Sequence, residues 1–396
     1  TLDLGLSVLP GRLATAIDRT RRVVVDQTGQ EHPYDLLVLA TGSRPLVPDL
    51  PGGTLPGVLG LRTKVDADAL VERMARGQRV VVVGGGVLAL EVAGALHHRG
   101  VPVTLVHRSA RLIDRQLDET ASRLLAARLA DQGLEVVFHD EVRRIEGTDG
   151  VTGVLLVSGK RLGAGAVLFG TGTVPEVGLA RSAGLAVGRG VLVDDRLRTS
   201  DPAILALGEI AEWEGRSWGI TPAAEHQGRI AARALAGDPF ALYTGSVAVN
   251  VLKVGGVDLA SAGTLVSDHP RKEEVVFVDE AQRTYKKVVI EADRVVGVLF
   301  LGDKTEFPAF RDLIESGREL GEARASLLRS GAAPREGTGR LVCSCLSVRA
   351  SLVEEAVGAG AASVAELMKR TGAGTGCGSC RPELAAFLKA REAVHG

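Results

Sequence analysis

The chain has 396 residues, 47 Lys and Arg against 48 Asp and Glu for a net charge of −1, 45% apolar residues and only 3% aromatics. That length predicts two or three domains with a sizeable core, and the near-neutral balance, with no polybasic block, excludes nucleic acid and anionic membrane surfaces as partners. The longest apolar stretch, 80–90, is closed by Arg79 and Glu91 and falls short of the roughly 18 residues of a membrane span, while fifty glycines, nearly twice the usual share, fit an α/β protein with many phosphate-facing turns.

In chain order, runs rich in Val, Leu and Ile at 20–25 and 34–41 are bounded by Asp, Gly and Pro and read as strands. The run 79–83, four valines after Arg79, has the character of a strand buried on both faces of a parallel sheet. Three glycines follow it, then a helix over 88–98 closed by Gly100 and a strand over 101–106, completing a strand-turn-helix-strand unit. A helix is expected over 117–132, ended by Gly133, with strands at 135–138, 151–157 and 166–169 and a further helix over 220–236. Beyond Asp238 the pattern changes: 274–279, 284–290 and 294–301 predict a small antiparallel sheet. A turn-rich stretch beginning at Leu328 reads as a linker. Three short helices, 349–357, 364–370 and 383–394, then surround the cysteines, with Ser363 as an N-cap and Pro382 at a helix start, where its missing N–H costs nothing.

Gly84-Gly85-Gly86-Val87-Leu88-Ala89 fits G-x-G-x-x-G/A between a strand and a helix, the context that makes it a dinucleotide fingerprint. Gly84 permits the tight turn, Gly86 lets the backbone approach a pyrophosphate, and Ala89 is small enough for helix and strand to pack closely. Helix N–H groups would bind the anion. Nucleotide choice is read at the end of the next strand, where an acid accepts from a ribose 2′-hydroxyl and a base tolerates a 2′-phosphate. His107-Arg108 occupies that place. Arg108 is either a phosphate partner or a solvated surface arginine, and NADH versus NADPH stays open.

Cys343, Cys345, Cys377 and Cys380 all fall in the last 54 residues. In a long chain this clustering indicates a metal site in a reducing compartment, hence a cytoplasmic protein. Residue 1 is threonine with no signal-like segment after it. C-x-C, 31 intervening residues and C-x-x-C supply four thiolates for one [2Fe–2S] cluster or one tetrahedral zinc. Gly372, Gly374, Gly376 and Gly378 around the second pair favour the cluster, since they let backbone N–H groups reach bridging sulfides.

The order Ala40-Thr41-Gly42-x-Arg44-Pro45, Gly84-x-Gly86-x-x-Ala89-x-Glu91, Gly170-Thr171-Gly172-x-x-Pro175 and Ala206-Leu207-Gly208-Glu209 resembles the two-dinucleotide-binding-domain flavoprotein reductases. The resemblance implies an α/β fold with Rossmann-like FAD and NAD(P) domains, a small α+β interface domain and, here, a small helical [2Fe–2S] domain. The implied boundaries are 1–62 and 175–240 for FAD, 63–174 for NAD(P), 241–327 for the interface domain, 328–340 for the linker and 341–396 for the iron–sulfur domain. It places Ala40, Thr41 and Gly42 beside FAD, Arg44 near the flavin nucleotide, and Gly208 with Glu209, where most relatives have Asp, on the ribityl chain. It aims the helix beginning near Ile220-Thr221 at the flavin pyrimidine. Gly172 joins the nucleotide-binding set. Glu91 looks like the acid that helps seat the nicotinamide, against the alternative of an exposed helix glutamate. The family's first G-x-G-x-x-G is expected ahead of residue 1, so FAD binding by residues 1–396 alone is expected to be weak or absent. No cysteine precedes 343, which excludes the redox-cysteine pair of the disulfide reductases.

The cysteine spacing resembles the bacterioferritin-associated-ferredoxin type of [2Fe–2S] domain. The whole arrangement, with Val106-His107 and Arg115-Gln116-Leu117-Asp118, resembles NAD(P)H nitrite reductase large subunits and the electron-transfer subunits of assimilatory nitrate reductases. The implied activity is electron transfer from NAD(P)H through FAD and [2Fe–2S] to an electron-acceptor protein or subunit. The resemblance reaches no sirohaem domain within residues 1–396, so nitrite chemistry itself is not expected of these residues. The alternatives are a ferredoxin or oxygenase reductase and a zinc-stapled nucleotide-binding sensor without turnover.

Overall fold

The computed structural model describes residues 5–74, 77–254, 257–265, 271–328, 341–343, 346, 348–376, 378 and 380–395. The chain divides into two units, residues 1–47 with 172–248 and residues 48–171 with 249–396.

In the first unit an antiparallel sheet is formed by Ala14–Asp18, Val23–Asp26 and Glu31–Pro33. The strand expected at 20–25 begins only at Val23, because Arg21 N–H donates to Asp18 Oδ1 at 3.0 Å and Arg22 sits at φ 51°, which turns the chain. Leu37–Leu39 runs parallel to Ile204–Ala206, and Ser43–Pro45 antiparallel to Thr173–Pro175. Ile17, Leu39, Ala180, Val191, Ile204 and Ile210 form one buried cluster. The Thr221–Leu235 helix buries Ala223, Gln227, Ile230, Ala231 and Ala234.

The second unit is built on a parallel sheet in the order Val58–Gly60, Ala166–Phe169, Val80–Val83, Val103–His107, Glu135–Phe138. Alternation along these strands sends side chains to two different cores. Val80, Val82, Leu105 and Leu168 pack with Leu90, Leu96, Leu124 and Leu125 of the Val87–His98 and Glu119–Asp131 helices. Val81, Val106, Val167 and Phe169 pack on the other face with Val142, Ile145, Val154 and Leu162 of a three-stranded antiparallel sheet. Burial on both faces is why the four consecutive valines of Val80–Val83 show no polar alternation.

After residue 248 an antiparallel sheet runs in the order Val249–Val254, Val257–Gly263, Arg294–Leu301, Thr284–Glu291, Lys272–Asp279. The sequence pattern revealed the last three. It missed the first pair: in the second of these strands Ala260, Ser261, Ala262 and Gly263 have weak strand propensity and reach strand geometry through pairing to Arg294–Leu301, whereas Val249–Val254 carries a readable Val-rich strand signal. The Phe307–Ser316 helix was also missed, its Pro308 being tolerated in the first turn and its end set by Gly317 at φ 60°. The C-terminal part pairs Leu341–Cys343 with Val348–Arg349 and adds the Ala350–Gly358, Val364–Thr371 and Arg381–His395 helices. Ser363 caps the second, its hydroxyl accepting from Glu366 N–H at 3.2 Å. The linker expected at 328–340 lies, from 329 onward, outside the described residues. No described helix is long and apolar enough to cross a membrane.

Candidate functional site

The glycine turn is fixed by its surroundings at its first two positions. Gly84 N–H donates to Val106 O at 2.9 Å, and Gly84 sits at φ 126°, where a Cβ would stand 2.5 Å from Gly170 O. No L side chain fits there. A Cβ on Gly85 would lie 2.5 Å from the ring of His107. Gly86 differs: it is exposed, its φ is −83°, and nothing lies within 4 Å of the place a Cβ would take. The open side of the turn is therefore at Gly86, where the Val87–His98 helix begins without a side-chain cap or an acid in its first turn. Its first N–H groups face that space unclaimed by the helix itself. Ala89 is fully buried against Gly170, whose own Cβ would come within 2.8 Å of Ala89 Cβ. Glu91, in the second turn, is half-buried.

His107 is buried, and its Nε2 lies 2.9 Å from Arg111 O. A carbonyl only accepts, so Nε2 carries the proton. The ring thus supports Gly85 and holds the following loop, while Arg108 stands exposed beside it.

In the first unit, the residues expected around a flavin converge on two turns. Gly42 sits at φ 69° and Gly208 at φ 80°, each directly beyond one strand of the parallel Leu37–Leu39 and Ile204–Ala206 pair. Ala40 and Thr41 are exposed, and Thr41 Oγ1 donates to Glu176 O at 2.8 Å. Arg44 Nε lies 3.7 Å from Glu176 Oε2. Glu209 accepts from Thr173 Oγ1 at 2.6 Å. Gly172, at φ 107°, accepts from Leu46 N–H at 2.9 Å. The helix starting at Thr221 has Ile220 before it, no side-chain cap and no acid in its first turn. Its amino end matches that of the Val87–His98 helix in this respect, whereas Asp118 and Ser363 cap the Glu119–Asp131 and Val364–Thr371 helices.

Sequence reasoning missed Gln227. Its fully buried Oε1 accepts from Gly208 N–H at 2.6 Å, its amide donates to Tyr243 Oη at 3.2 Å, and that hydroxyl lies 2.9 Å from Ser246 Oγ. A polar residue on the buried face of an amphipathic helix was the available signal.

Cys343 and Cys380 are buried in one apolar cluster with Val342, Val353, Leu367 and Leu384. Cys345 and Cys377 lie outside the described residues. Gly372, Gly374 and Gly378 take φ of 74°, 81° and 75°. Arg381 Nε donates to Gly374 O at 3.0 Å, and Arg381 N–H to Gly378 O at 3.1 Å. Gly372 closes the Val364–Thr371 helix, its N–H donating to Met368 O at 2.9 Å. Two cysteine sulfurs beside a glycine-rich turn are soft donors of the kind that hold an iron–sulfur cluster.

Comparison with known proteins places these turns in context. Residues 2–228 match the family model described as pyridine nucleotide-disulphide oxidoreductase. The chain belongs to that family. Residues 249–318 match the rubredoxin NAD+ reductase C-terminal domain, and 341–390 the BFD-like [2Fe-2S] binding domain. The chain is 32% identical over 395 residues to the assimilatory nitrate reductase electron transfer subunit of Bacillus subtilis, which covers 97% of this chain and 50% of that protein. It is 31% identical over 382 residues to the nitrite reductase [NAD(P)H] of the same organism, covering 94% of this chain and 47% of the relative. The chain thus spans about half the length of the curated relatives it matches. Among solved structures, a ferredoxin reductase from Rhodopseudomonas palustris is similar with a TM-score of 0.71 and 28% identity, over 78% of this chain and 77% of that one.

Proposed function

We propose that this chain takes electrons from NAD(P)H and passes them to an acceptor protein or subunit in nitrate or nitrite assimilation. The observation that carries the reading is a single chain in which an uncapped glycine-turn helix and a separate cysteine core coexist, with similarity to nitrate and nitrite reductase subunits running through both parts. The nicotinamide nucleotide is assigned to Gly84, Gly86 and Ala89 with Glu91, His107 and Arg108 beside it. FAD is assigned to Ala40, Thr41, Gly42, Arg44, Gly208, Glu209, Ile220 and Thr221, and a [2Fe–2S] cluster to Cys343, Cys345, Cys377 and Cys380. The domain boundaries given above belong to this proposal, as does a cytoplasmic setting, which keeps four clustered thiols reduced. When bound, flavin and cluster supply the conversion of a two-electron hydride donor into one-electron delivery.

The protein's own part is placement. Gly86 leaves room for a pyrophosphate, and the Val87–His98 helix offers it N–H donors. The amino end of the Thr221–Leu235 helix favours negative charge near it. Gln227 fixes the Gly208 turn from below.

The test is anaerobic titration of the chain, loaded with iron and sulfide and supplied with enough FAD to fill a weak site, followed by visible absorption. Both flavin and iron–sulfur bands should bleach on addition of NAD(P)H, and the reduced protein should reoxidise with a nitrate- or nitrite-reducing component. A colourless, zinc-loaded protein that binds nucleotide without any bleaching overturns the reading in favour of a nucleotide sensor.

A further inference from the structure

Beyond the end of the Val103–His107 strand, residues 108–113 leave the sheet and return to the glycine turn. The loop is tied at both ends: His107 Nε2 donates to Arg111 O at 2.9 Å, and Ile113 N–H donates to Gly85 O at 2.8 Å. Ile113 holds φ 49°, a left-handed conformation that a β-branched residue adopts only under constraint. The loop is therefore a fixed wall beside the phosphate turn.

That wall is cationic. Arg108, Arg111 and Arg115 are all exposed. Arg111 donates to Leu117 O at 3.4 Å. The guanidinium groups of Arg108 and Arg115 have no partner among the described residues. The nearby carboxylates are engaged elsewhere. Asp114 Oδ2 accepts from Ser109 Oγ at 3.0 Å. Asp140, whose N–H donates to His107 O at 3.3 Å, turns its buried carboxylate to Ser158 Oγ and to the N–H groups of Ser158 and Glu141. His107, at the residue where an acid would accept from a ribose 2′-hydroxyl, is turned inward onto Gly85 and Arg111.

Resting on the nucleotide assignment above, we infer that this site selects the 2′-phosphorylated dinucleotide, NADPH, with Arg108 as the specificity-determining residue and Arg115 as a secondary cation. At the strand end a ribose 2′-hydroxyl meets the inward-turned His107 in place of an acid, whereas a 2′-phosphate meets a guanidinium able to give parallel charge-assisted hydrogen bonds. Because Arg108 has no structural partner to lose, its removal should alter binding without altering folding.

The experiment is calorimetric titration of the full chain with NADP+, NAD+ and adenosine 2′,5′-bisphosphate, for the native protein and for Arg108→Ala and Arg108→Lys, with circular dichroism as the folding control. The native chain should bind NADP+ more tightly than NAD+ and should bind adenosine 2′,5′-bisphosphate measurably. Arg108→Ala should weaken both 2′-phosphorylated ligands by roughly ten- to hundredfold, the scale of a charged hydrogen bond, while NAD+ affinity stays within about twofold; Arg108→Lys should recover part of the loss. Tighter binding of NAD+ by the native chain, or equal losses for both dinucleotides in Arg108→Ala, overturns the inference and leaves the nucleotide site standing. If a folded chain binds neither dinucleotide, the nucleotide assignment itself falls.

Discussion

Gly86 and Gly170 are both glycines of the nucleotide region, yet they serve different needs, and substitution separates them. A side chain at Gly86 meets open space at an ordinary φ of −83°, so Gly86→Val should cost less than about 1 kcal/mol of stability while raising the dinucleotide Kd or KM strongly, because the added carbons occupy the approach of the pyrophosphate. A Cβ at Gly170 would press on Ala89 Cβ at 2.8 Å and Ala89 Cα at 3.0 Å, so Gly170→Ala should destabilise by about 1 to 3 kcal/mol by overpacking. Urea unfolding alongside nucleotide titration distinguishes the two; a Gly86→Val protein that is unstable but binds normally would invert the assignment. A second residue-scale expectation concerns acid. Burial alone would raise the Asp303 carboxyl, but hydrogen bonds from Lys286 Nζ and from Thr305 outweigh it and hold the group down to about 2. A folded value below the unfolded value of about 3.9 gives stability that is fully present above pH ~4 and is lost as pH falls toward ~2. Asp303→Asn should flatten that part of the Tm-against-pH profile, and an unchanged acid limb would contradict the role.

At the scale of elements, the junction between the Glu119–Asp131 helix and the Thr284–Glu291 strand rests on one carboxylate. Asp118 caps the helix by accepting from Ala121 N–H at 2.9 Å, accepts the hydroxyl of Tyr285, and lies 3.6 Å from the buried Lys287 Nζ, which Glu274 also holds at 2.7 Å. Burial and the Asp118 carboxylate both push the Tyr285 hydroxyl pKa upward, which keeps it a donor. Asp118→Ala removes a cap, worth about 0.5 to 2 kcal/mol, and strands a buried hydroxyl, worth about 1 to 3 kcal/mol. The loss should therefore exceed that of an ordinary cap, and Tyr285→Phe in the same chain should return part of it. Additive losses in the double-mutant cycle would show the two groups to be uncoupled. Cap chemistry of this kind is only half visible in sequence: Asp118 ahead of an apolar-periodic helix signals an N-cap, but its partnership with a residue 167 positions away has no local signature. The same limit explains what was legible elsewhere. Val80–Val83 and Arg294–Leu301 were readable because an apolar run or an alternation stated their burial directly. Val257–Gly263 was not, because its Ala, Ser and Gly residues take their conformation from the neighbouring strand and their burial from packing. At the nucleotide turn the glycines were legible, since backbone geometry demands them, whereas the inward turn of His107 depends on Arg111 O and Gly85 brought to it by the fold.

At the scale of the molecule, the apolar clusters are distributed so that the cysteine region has a core of its own. Val342, Val348, Val353, Ala361, Leu367 and Leu384 enclose Cys343 and Cys380, and none of them belongs to the clusters beneath the glycine turn, which are built from Val80, Leu90, Leu105 and Leu168 on one face and Val81, Val106 and Val167 on the other. Separate cores can lose structure separately. Cys380→Ser should therefore act locally. It removes one thiolate from the proposed cluster and places a hydroxyl in a pocket that is 6% exposed, so the iron–sulfur absorbance should vanish and the C-terminal helices should lose protection from hydrogen exchange. The hydrogen bonds of the turn, Gly84 N–H to Val106 O and Ile113 N–H to Gly85 O, do not depend on that pocket. Nucleotide affinity should remain within about twofold of native, and NAD(P)H should still bleach the flavin band of FAD-loaded protein while reduction of a one-electron acceptor protein slows sharply. Loss of nucleotide binding together with the cluster would mean that the two cores unfold as one cooperative unit, and the electron path would then have to be argued from a single folded body.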